Sequence, residues 1–259
     1  MKKERKSRKV VKKIMIAIAI IVALIVGIII IIAIKQLQQE ETLKNEIINY
    51  SNKDLATDNF QIEIKTKGDC AHIEEAIKKY YKELSDNVKE INSYLNKDEF
   101  TKILSPENLS KDHPDFTLSH ATLKNVKTKM QKLLGNIEKL CDEETLKELI
   151  DKEKLSDPDY YYDLYKKLMY TKKDLKELTD VKNKMKELSL TLTEFLDKVD
   201  EMLIYLQKND SFVEYQNSGI IFKTEETLTG YKKLIAELQS IASKFTNLGS
   251  NKEEQGTEI

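Results

Sequence analysis

The sequence predicts a mainly α-helical protein, in which a single N-terminal transmembrane helix is followed by an elongated helical bundle with a small β element. Three observations lead to this prediction. An uninterrupted apolar run fills residues 14–34. Apolar residues then recur at three- and four-residue steps over much of residues 69–245, which is the period of amphipathic helices. Only two short segments, near residues 60 and 212, have a strand-like or hairpin pattern.

The apolar run is long enough to cross a bilayer. Its 21 residues, 14–34, would form a helix of about 31 Å, close to the thickness of the hydrocarbon core. Residues 1–13 carry eight Lys or Arg side chains and one Glu, so the positive-inside rule makes them a basic cytoplasmic tail. A cleaved signal peptide would have a shorter apolar region that ends in a small-x-small site. We therefore expect an uncleaved anchor in the cell membrane and an extracytoplasmic C-terminal domain.

One face of the predicted transmembrane helix carries small residues at every fourth position, namely Ala19, Ala23 and Gly27. A small-xxx-small pattern lets two membrane helices approach closely, and it would allow a homodimer. The alternative is that Ala and Gly are ordinary residues of membrane helices.

The composition of residues 36–259 bears on the partners of the external domain. This region contains 34 Lys, 43 acidic residues and no Arg, for a formal charge of −9. Because Arg is the side chain suited to bidentate contact with phosphate, an acidic domain without Arg is a poor nucleic-acid binder. We therefore expect that the partner is not a nucleic acid but a protein of a bacterial cell envelope. The heavy use of Lys, Ile, Asn and Glu is typical of an AT-rich bacterial genome.

The external region divides by pattern into three parts. Residues 35–58 are polar and are predicted to form a stalk, residues 59–247 the bundle domain, and residues 248–259 a disordered tail. Within the bundle, Phe60, Ile62 and Ile64 alternate with polar residues, which predicts a short strand that ends at Gly68.

The helices of the bundle follow from apolar periodicity and from capping signals. Two helices of similar length are predicted, one from Asp69 to about residue 96 and one over residues 116–140, separated by the helix-breaking Ser105-Pro106 and His113-Pro114 pairs. A short helix is expected over residues 142–154. Asp157-Pro158 is a strong helix start, and one long helix should run from there to residue 206.

The predicted long helix has one alternative. The apolar spacing slips between Leu178 and Val181, so this region could instead form a helical hairpin. A β-hairpin over residues 212–222 and a final helix over residues 225–245 complete the bundle.

Cys70 and Cys141 form the one pair for which the pattern predicts a geometry. If the first two bundle helices pack antiparallel, the start of one lies beside the end of the other, and both cysteines lie at the same end. The predicted location is oxidising, so a disulfide is expected. The alternative is two unbridged, partly buried thiols. A zinc site is disfavoured, because His72 and the two cysteines supply three ligands where a structural site needs four, and the other histidines, His113 and His120, fall at the opposite end.

A tyrosine-rich segment is the first choice for a contact surface. Tyr160, Tyr161, Tyr162 and Tyr165 lie at the start of the predicted long helix. Successive helical residues differ by about 100° in direction, so at least one of the three adjacent tyrosines should be exposed. Aromatic side chains are enriched in interfaces. The alternative is that the cluster caps the core of the bundle.

These observations favour a non-enzymatic interaction or scaffold protein of a bacterial cell envelope. The chain has no Gly-x-Ser-x-Gly, Ser-x-x-Lys or His-Glu-x-x-His motif and no Gly-rich phosphate loop, so we expect neither an enzyme nor a cofactor. A binding or sensor module for a small molecule or a cell-wall fragment is the alternative. A buried, polar-lined pocket would favour the sensor, and a long exposed apolar stripe would favour the interaction protein.

Overall fold

The structure is a computed structural model that describes residues 41–170, 172–216 and 219–250. The predicted basic tail, the predicted transmembrane helix with Ala19, Ala23 and Gly27, and residues 251–259 lie outside the described residues. Within the described part of the chain, no helix combines the length and the apolar character that crossing a membrane requires.

The described chain is mainly helical, as the sequence predicts. The α-helices are α1 (Glu41–Ser51), α2 (Asp69–Leu95), α3 (Asp98–Thr101), α4 (Pro106–Asp112), α5 (Thr117–Leu140), α6 (Glu143–Glu148), α7 (Pro158–Met169), α8 (Lys172–Lys208) and α9 (Glu225–Ser250). Short 3-10 helices cover Lys152–Lys154 and Asp210–Phe212. The strands β1 (Val213–Gln216) and β2 (Gly219–Phe222) form an antiparallel hairpin, as predicted.

The described residues form two compact units. The N-terminal unit contains residues 41–92 and 133–186, and the C-terminal unit contains residues 93–132 and 187–250. The boundaries fall inside α2, α5 and α8, so each of these helices supplies residues to both units.

The N-terminal unit begins with α1, which lies inside the segment predicted to be a polar stalk. Leu43, Ile47 and Tyr50 recur at steps of four and three residues and are buried, as is Leu55 after the helix. The edge of the Tyr50 ring meets Phe60 at a centroid distance of 5.1 Å. Residues 41–58 therefore belong to the folded unit, because this periodic apolar side is enough to dock a short helix in a polar segment.

Residues 59–65 do not form the predicted strand, since they lie outside any helix or strand and pair with no other strand of the described chain. Phe60 is buried, but Ile62 and Ile64 are 38% and 36% exposed. The segment ends at Gly68, which has a φ of +59° that glycine adopts without steric cost, and the chain then enters α2.

Within the N-terminal unit, α2 and α5 run antiparallel. The Asn136 amide donates to the Asn87 side chain at 3.0 Å, and Cys141 lies close enough to Tyr80 to influence its ionisation. Residues later in α2 thus lie beside residues earlier in α5. Leu140, the last residue of α5, therefore lies beside the middle of α2 and not beside its start.

The predicted long helix over residues 158–206 is two helices. Asp157 and Pro158 start α7 as predicted, and the Asp157 carboxylate accepts a hydrogen bond from the Tyr160 backbone N–H at 3.1 Å. Tyr170 is extended, with φ −164° and ψ 146°, and this ends α7. The helix is not interrupted at the slip in apolar spacing, because Leu178 and Val181 both lie within α8, where both are buried.

The C-terminal unit is built on α8, which contacts both α5 and α9. Lys127 pairs with Asp197 at 2.5 Å across α5 and α8. Lys244 pairs with Glu194 at 2.6 Å across α8 and α9. Phe195 meets Phe245 edge-on at a centroid distance of 6.3 Å, and both rings are buried in the core between these helices.

Candidate interaction surface

The hairpin packs one of its faces against the C-terminal unit. The register pairs Val213 with Phe222 and Tyr215 with Ile220, and alternate residues of a strand point to opposite faces. Val213 is buried. Tyr215 stacks on the His113 ring at a centroid distance of 4.9 Å, and Phe222 lies 4.9 Å from the Tyr231 ring of α9. Aromatic contacts from two sides therefore fix the orientation of the hairpin.

The opposite face of the hairpin is open and carries two large apolar side chains. Phe212 is 47% exposed and Ile221 is 44% exposed. Glu214 pairs with Ile221, and the Lys223 N–H donates to the Phe212 carbonyl at 2.9 Å, which extends the register by one pair. Phe212 and Ile221 are thus diagonal neighbours. We call Phe212, Glu214, Ile221 and Lys223 the hairpin surface.

The hairpin surface combines apolar and charged groups. Glu214 and Lys223 form an ion pair at 3.6 Å, and both side chains are about half exposed. A solvated sheet face normally carries polar residues, and an apolar patch bordered by polar groups is typical of a contact site. Sequence periodicity predicted the hairpin, but it did not identify Phe212 and Ile221 as exposed, because a four-residue strand does not show which of its faces is covered.

The predicted tyrosine surface is divided between solvent and core. Tyr160 is 46% exposed, in line with the expectation that at least one adjacent tyrosine faces solvent. Tyr161 and Tyr162 are half-buried, and the Lys152 ammonium lies 3.6 Å from the centre of the Tyr162 ring. Tyr165 is fully buried, and its hydroxyl donates to the Leu146 carbonyl at 2.5 Å. Tyr165 therefore belongs to the core and cannot contribute to an exposed surface.

The predicted disulfide between Cys70 and Cys141 is not formed in the structure, and both thiols are buried. Cys141 lies near Tyr80, which is ten residues and so about 15 Å along α2 from Cys70. Bridged cysteines have Cα atoms within about 7 Å. The prediction failed because α5 ends beside the middle of α2. Burial raises the pKa of the Cys141 thiol to about 12.

The histidines of the C-terminal unit contact carboxylates and not each other. His120 Nδ1 lies 2.6 Å from Asp200 Oδ1, and His113 Nδ1 lies 3.8 Å from Asp210 Oδ1. Over the described ranges, no group of three or more His, Cys, Asp or Glu side chains is arranged to hold a metal ion.

A cluster of buried charges in the N-terminal unit was not anticipated from the sequence. The Lys78 ammonium contacts Glu74 Oε1 at 2.5 Å and Glu46 Oε2 at 3.1 Å, and the Lys78 and Glu74 side chains are almost fully buried. Glu74 also accepts from the Lys65 and Thr66 backbone N–H groups and the Thr66 hydroxyl. Every charge in the cluster has partners, so it holds α1 and the 59–66 segment onto α2.

The balance of burial and hydrogen bonding sets the ionisation of this cluster. Burial by itself raises the pKa of Glu74, but the hydrogen bonds from Lys78, Thr66 and Lys65 outweigh it and leave the pKa below its usual value. The pKa of Glu46 is lowered in the same way, since bonds from Lys65 and Lys78 exceed the effect of burial. Both carboxylates are thus held in the charged form.

A cleft lies between α8 and α9 in the C-terminal unit. Its volume is about 290 Å³, and it is lined by Glu201, Ile204, Tyr205, Lys208, Gly230, Lys233, Leu234 and Glu237. The Tyr205 ring lies close to Gly230, where an added Cβ would come within 2.3 Å of the hydroxyl oxygen. The Tyr205 hydroxyl donates to the Thr227 carbonyl at 2.9 Å. Glycine therefore permits the close approach that forms one wall of the cleft.

Comparisons with known proteins return no relative: no family model, no curated protein and no solved structure matches the chain.

Proposed function

We propose that the chain is a membrane-anchored extracytoplasmic helical protein that acts as a non-enzymatic interaction or scaffold component of a bacterial cell envelope. The observation that carries this proposal is the hairpin surface. Its two large apolar side chains, Phe212 and Ile221, are diagonal neighbours on an open sheet face, and the opposite face is held by aromatic contacts. Such a surface is pre-ordered, so a partner would bind it without first ordering the loop.

The proposed membrane anchor and the proposed extracytoplasmic location rest on the sequence. The apolar run of residues 14–34, flanked on its N-terminal side by lysine and arginine, supports a single-pass protein with a cytoplasmic N-terminus. The described helical units follow this segment in the chain, so we place the interactions of the protein there.

Site-specific photo-crosslinking in intact cells tests the proposal. A photoreactive phenylalanine analogue at position 221 should give a discrete crosslinked product with a partner protein. The matched control places the analogue at Leu190, which is 71% exposed and lies on α8, outside the hairpin. The product should weaken when Phe212→Ser is added. Equal products from positions 221 and 190 would reject the hairpin surface as the contact site.

A binding or sensor module remains a second candidate because of the cleft between α8 and α9. Its volume of about 290 Å³ is near the lower limit for small-molecule sites, and its lining combines Ile204 and Leu234 with charged groups. Of these, Glu237 is already paired with Lys198 at 2.9 Å. A ligand would therefore have to compete with existing ion pairs, and for this reason we place the interaction protein first. A Leu234→Trp variant that fills the cleft and abolishes function, while hairpin crosslinking persists, would reverse that order.

A further inference from the structure

A histidine and an aspartate meet at the base of the hairpin, within the C-terminal unit. His113 Nδ1 lies 3.8 Å from Asp210 Oδ1, which is within ion-pair range but too long for a hydrogen bond. Asp210 Oδ1 is buried and has no hydrogen-bond partner among the residues that the structure describes. A buried acceptor without a donor is unfavourable, so the base of the hairpin would be stabilised by a donor at this position.

Both residues are directly connected to the hairpin. Asp210 is the first residue of the 3-10 helix that leads into β1, and its backbone carbonyl accepts a hydrogen bond from the Val213 N–H. His113 follows α4, and its ring is stacked on Tyr215 of β1. A closer contact between His113 and Asp210 would therefore tie the first strand to the end of α4 at a second point.

The hairpin and α9 supply the other titratable groups on this side. Burial raises the pKa of Tyr215, and the nearby Asp210 and Tyr231 raise it further, so the Tyr215 hydroxyl stays neutral. The charges of the hairpin itself, Glu214 and Lys223, pair with each other on the opposite face. Asp210 is therefore the charged group of the hairpin region that faces the His113 ring.

The charged neighbours of His113 in the sequence are engaged elsewhere. Lys111 forms an ion pair within α4. Asp112 accepts hydrogen bonds from two backbone N–H groups at the start of α5, and Asp115 accepts one from Gln207 at 3.2 Å. The buried carboxylate oxygen 3.8 Å away is thus the acceptor that a protonated imidazole would meet.

We propose that the His113–Asp210 contact is a pH-sensitive switch that holds the hairpin more firmly under mildly acidic conditions. Histidine is the side chain whose charge ordinarily changes between about pH 5 and pH 8. The His113 side chain is 42% exposed, so its ring can take a proton from solvent. A shift of about 1 Å would then give a charged hydrogen bond from Nδ1 to the carboxylate. The bond forms as the pH falls and is lost as the pH rises and the imidazole loses its proton.

The consequence for partner binding rests on the proposed function. The open face of the same hairpin carries Phe212 and Ile221, and a hairpin that is held more firmly loses less conformational freedom when a partner binds. Contact with a partner protein should therefore be favoured in acid. The effect on the hairpin itself needs no partner and can be measured without one.

Hydrogen–deuterium exchange of the purified full chain tests the switch. Protection factors of the amides in residues 213–222 are compared at about pH 5.5 and about pH 7.5, since these factors remove the intrinsic effect of pH on exchange. We expect protection in the wild type to be about fivefold higher in acid. His113→Phe keeps a ring for stacking but binds no proton, and Asp210→Asn removes the charge. Neither variant should show the rise.

The matched control is His120→Phe. His120 Nδ1 also lies beside a carboxylate, 2.6 Å from Asp200, but this pair joins α5 to α8 and lies outside the hairpin. The hairpin of this variant should keep the wild-type response. Protection of the α9 amides at about pH 7.5 shows whether each variant is folded.

Equal protection of the wild-type hairpin at the two pH values would overturn the switch. A rise that persists in either His113→Phe or Asp210→Asn would overturn it as well. Photo-crosslinking from position 221 at the same pH values separates the switch from the proposed function. A pH response of the hairpin without any crosslinked partner would support the switch and reject the contact site, and equal product at both pH values would reject the effect on the partner.

Discussion

Glu74 and Lys78 form an ion pair of 2.5 Å in which both side chains are almost fully buried, one helical turn apart on α2. The next residues along the helix, Glu75 and Lys79, repeat the spacing at 2.7 Å but are about half exposed. The chain thus contains a buried pair and an exposed pair of identical spacing, which makes each the control for the other.

Removing the glutamate from the buried pair should lower the free energy of unfolding by several kcal/mol more than removing the glutamate from the exposed pair. Glu74→Ala leaves the Lys78 charge buried and the Lys65 and Thr66 N–H groups without an acceptor, so we expect a loss of about 3–5 kcal/mol in the free energy of unfolding. Glu75→Ala should cost less than about 1 kcal/mol, because exposed pairs are screened by water. Urea unfolding of the two variants measures the difference, and similar losses would contradict the buried cluster.

The same cluster predicts how stability depends on pH. The pKa values of Glu74 and Glu46 are lowered in the folded protein, so their stabilisation is present above the ordinary carboxylate pKa of about 4.3 and is lost as the pH falls through the folded values. Wild type and Glu74→Ala should therefore differ most near pH 7 and converge under strongly acidic conditions. A constant difference between pH 7 and pH 3 in urea unfolding would show that ionisation of Glu74 is irrelevant.

The sequence predicts the helices of this fold better than it predicts their contacts. Periodicity located α2, α5 and α9, and Asp157-Pro158 fixed the start of α7, since these signals are local. Glu74 and Glu75 both have a lysine four residues later, so only the fold decides which pair is buried. The offset of α5 along α2, which keeps Cys141 from Cys70, is likewise set by packing over many residues.

Weak local signals account for the errors in element assignment. The sequence predicts a stalk where α1 forms, because polar residues surround the three buried side chains of that helix. Tyr170 ends α7 without a Gly or Pro to mark the break. The exposure of the apolar residues in the hairpin surface depends on which face of the hairpin the rest of the unit covers. No local sequence pattern shows which face that is.

Two glycines inside helices should respond oppositely to alanine. Gly135 in α5 has open space where a Cβ would lie, so Gly135→Ala should stabilise the protein by about 0.5–1 kcal/mol. Gly230 in α9 lies under Tyr205, so Gly230→Ala should destabilise it by about 1–3 kcal/mol. The thermal midpoints of the two variants measure both changes. A gain in stability for Gly230→Ala would show that Tyr205 does not pack on this helix.

Two tyrosines of α7 should differ in what their hydroxyl groups contribute. Tyr165→Phe removes the hydrogen bond to the buried Leu146 carbonyl, and we expect a loss of about 1–2 kcal/mol in the free energy of unfolding. Tyr160→Phe should have almost no effect, because its side chain is 46% exposed. Equal effects in chemical unfolding would place Tyr165 outside the core.

The cysteines should behave as buried, unbridged thiols. The chain purified without reductant should migrate identically on reducing and non-reducing gels, and Cys70→Ser should not alter its mobility. Because burial raises the pKa of Cys141, its alkylation at neutral pH should be slow in the native protein and fast in urea. A mobility shift that is abolished by Cys70→Ser would show that Cys70 forms a disulfide and would contradict this prediction.

The proposed function depends most on where residues 41–250 lie. Protease added to intact, wall-stripped cells should digest this region, and the loss should be visible with an epitope tag at the C-terminus, while a cytoplasmic marker stays intact. Full protection of the tag until the membrane is opened with detergent would place the helical domain inside the cell and would contradict an extracytoplasmic interaction protein.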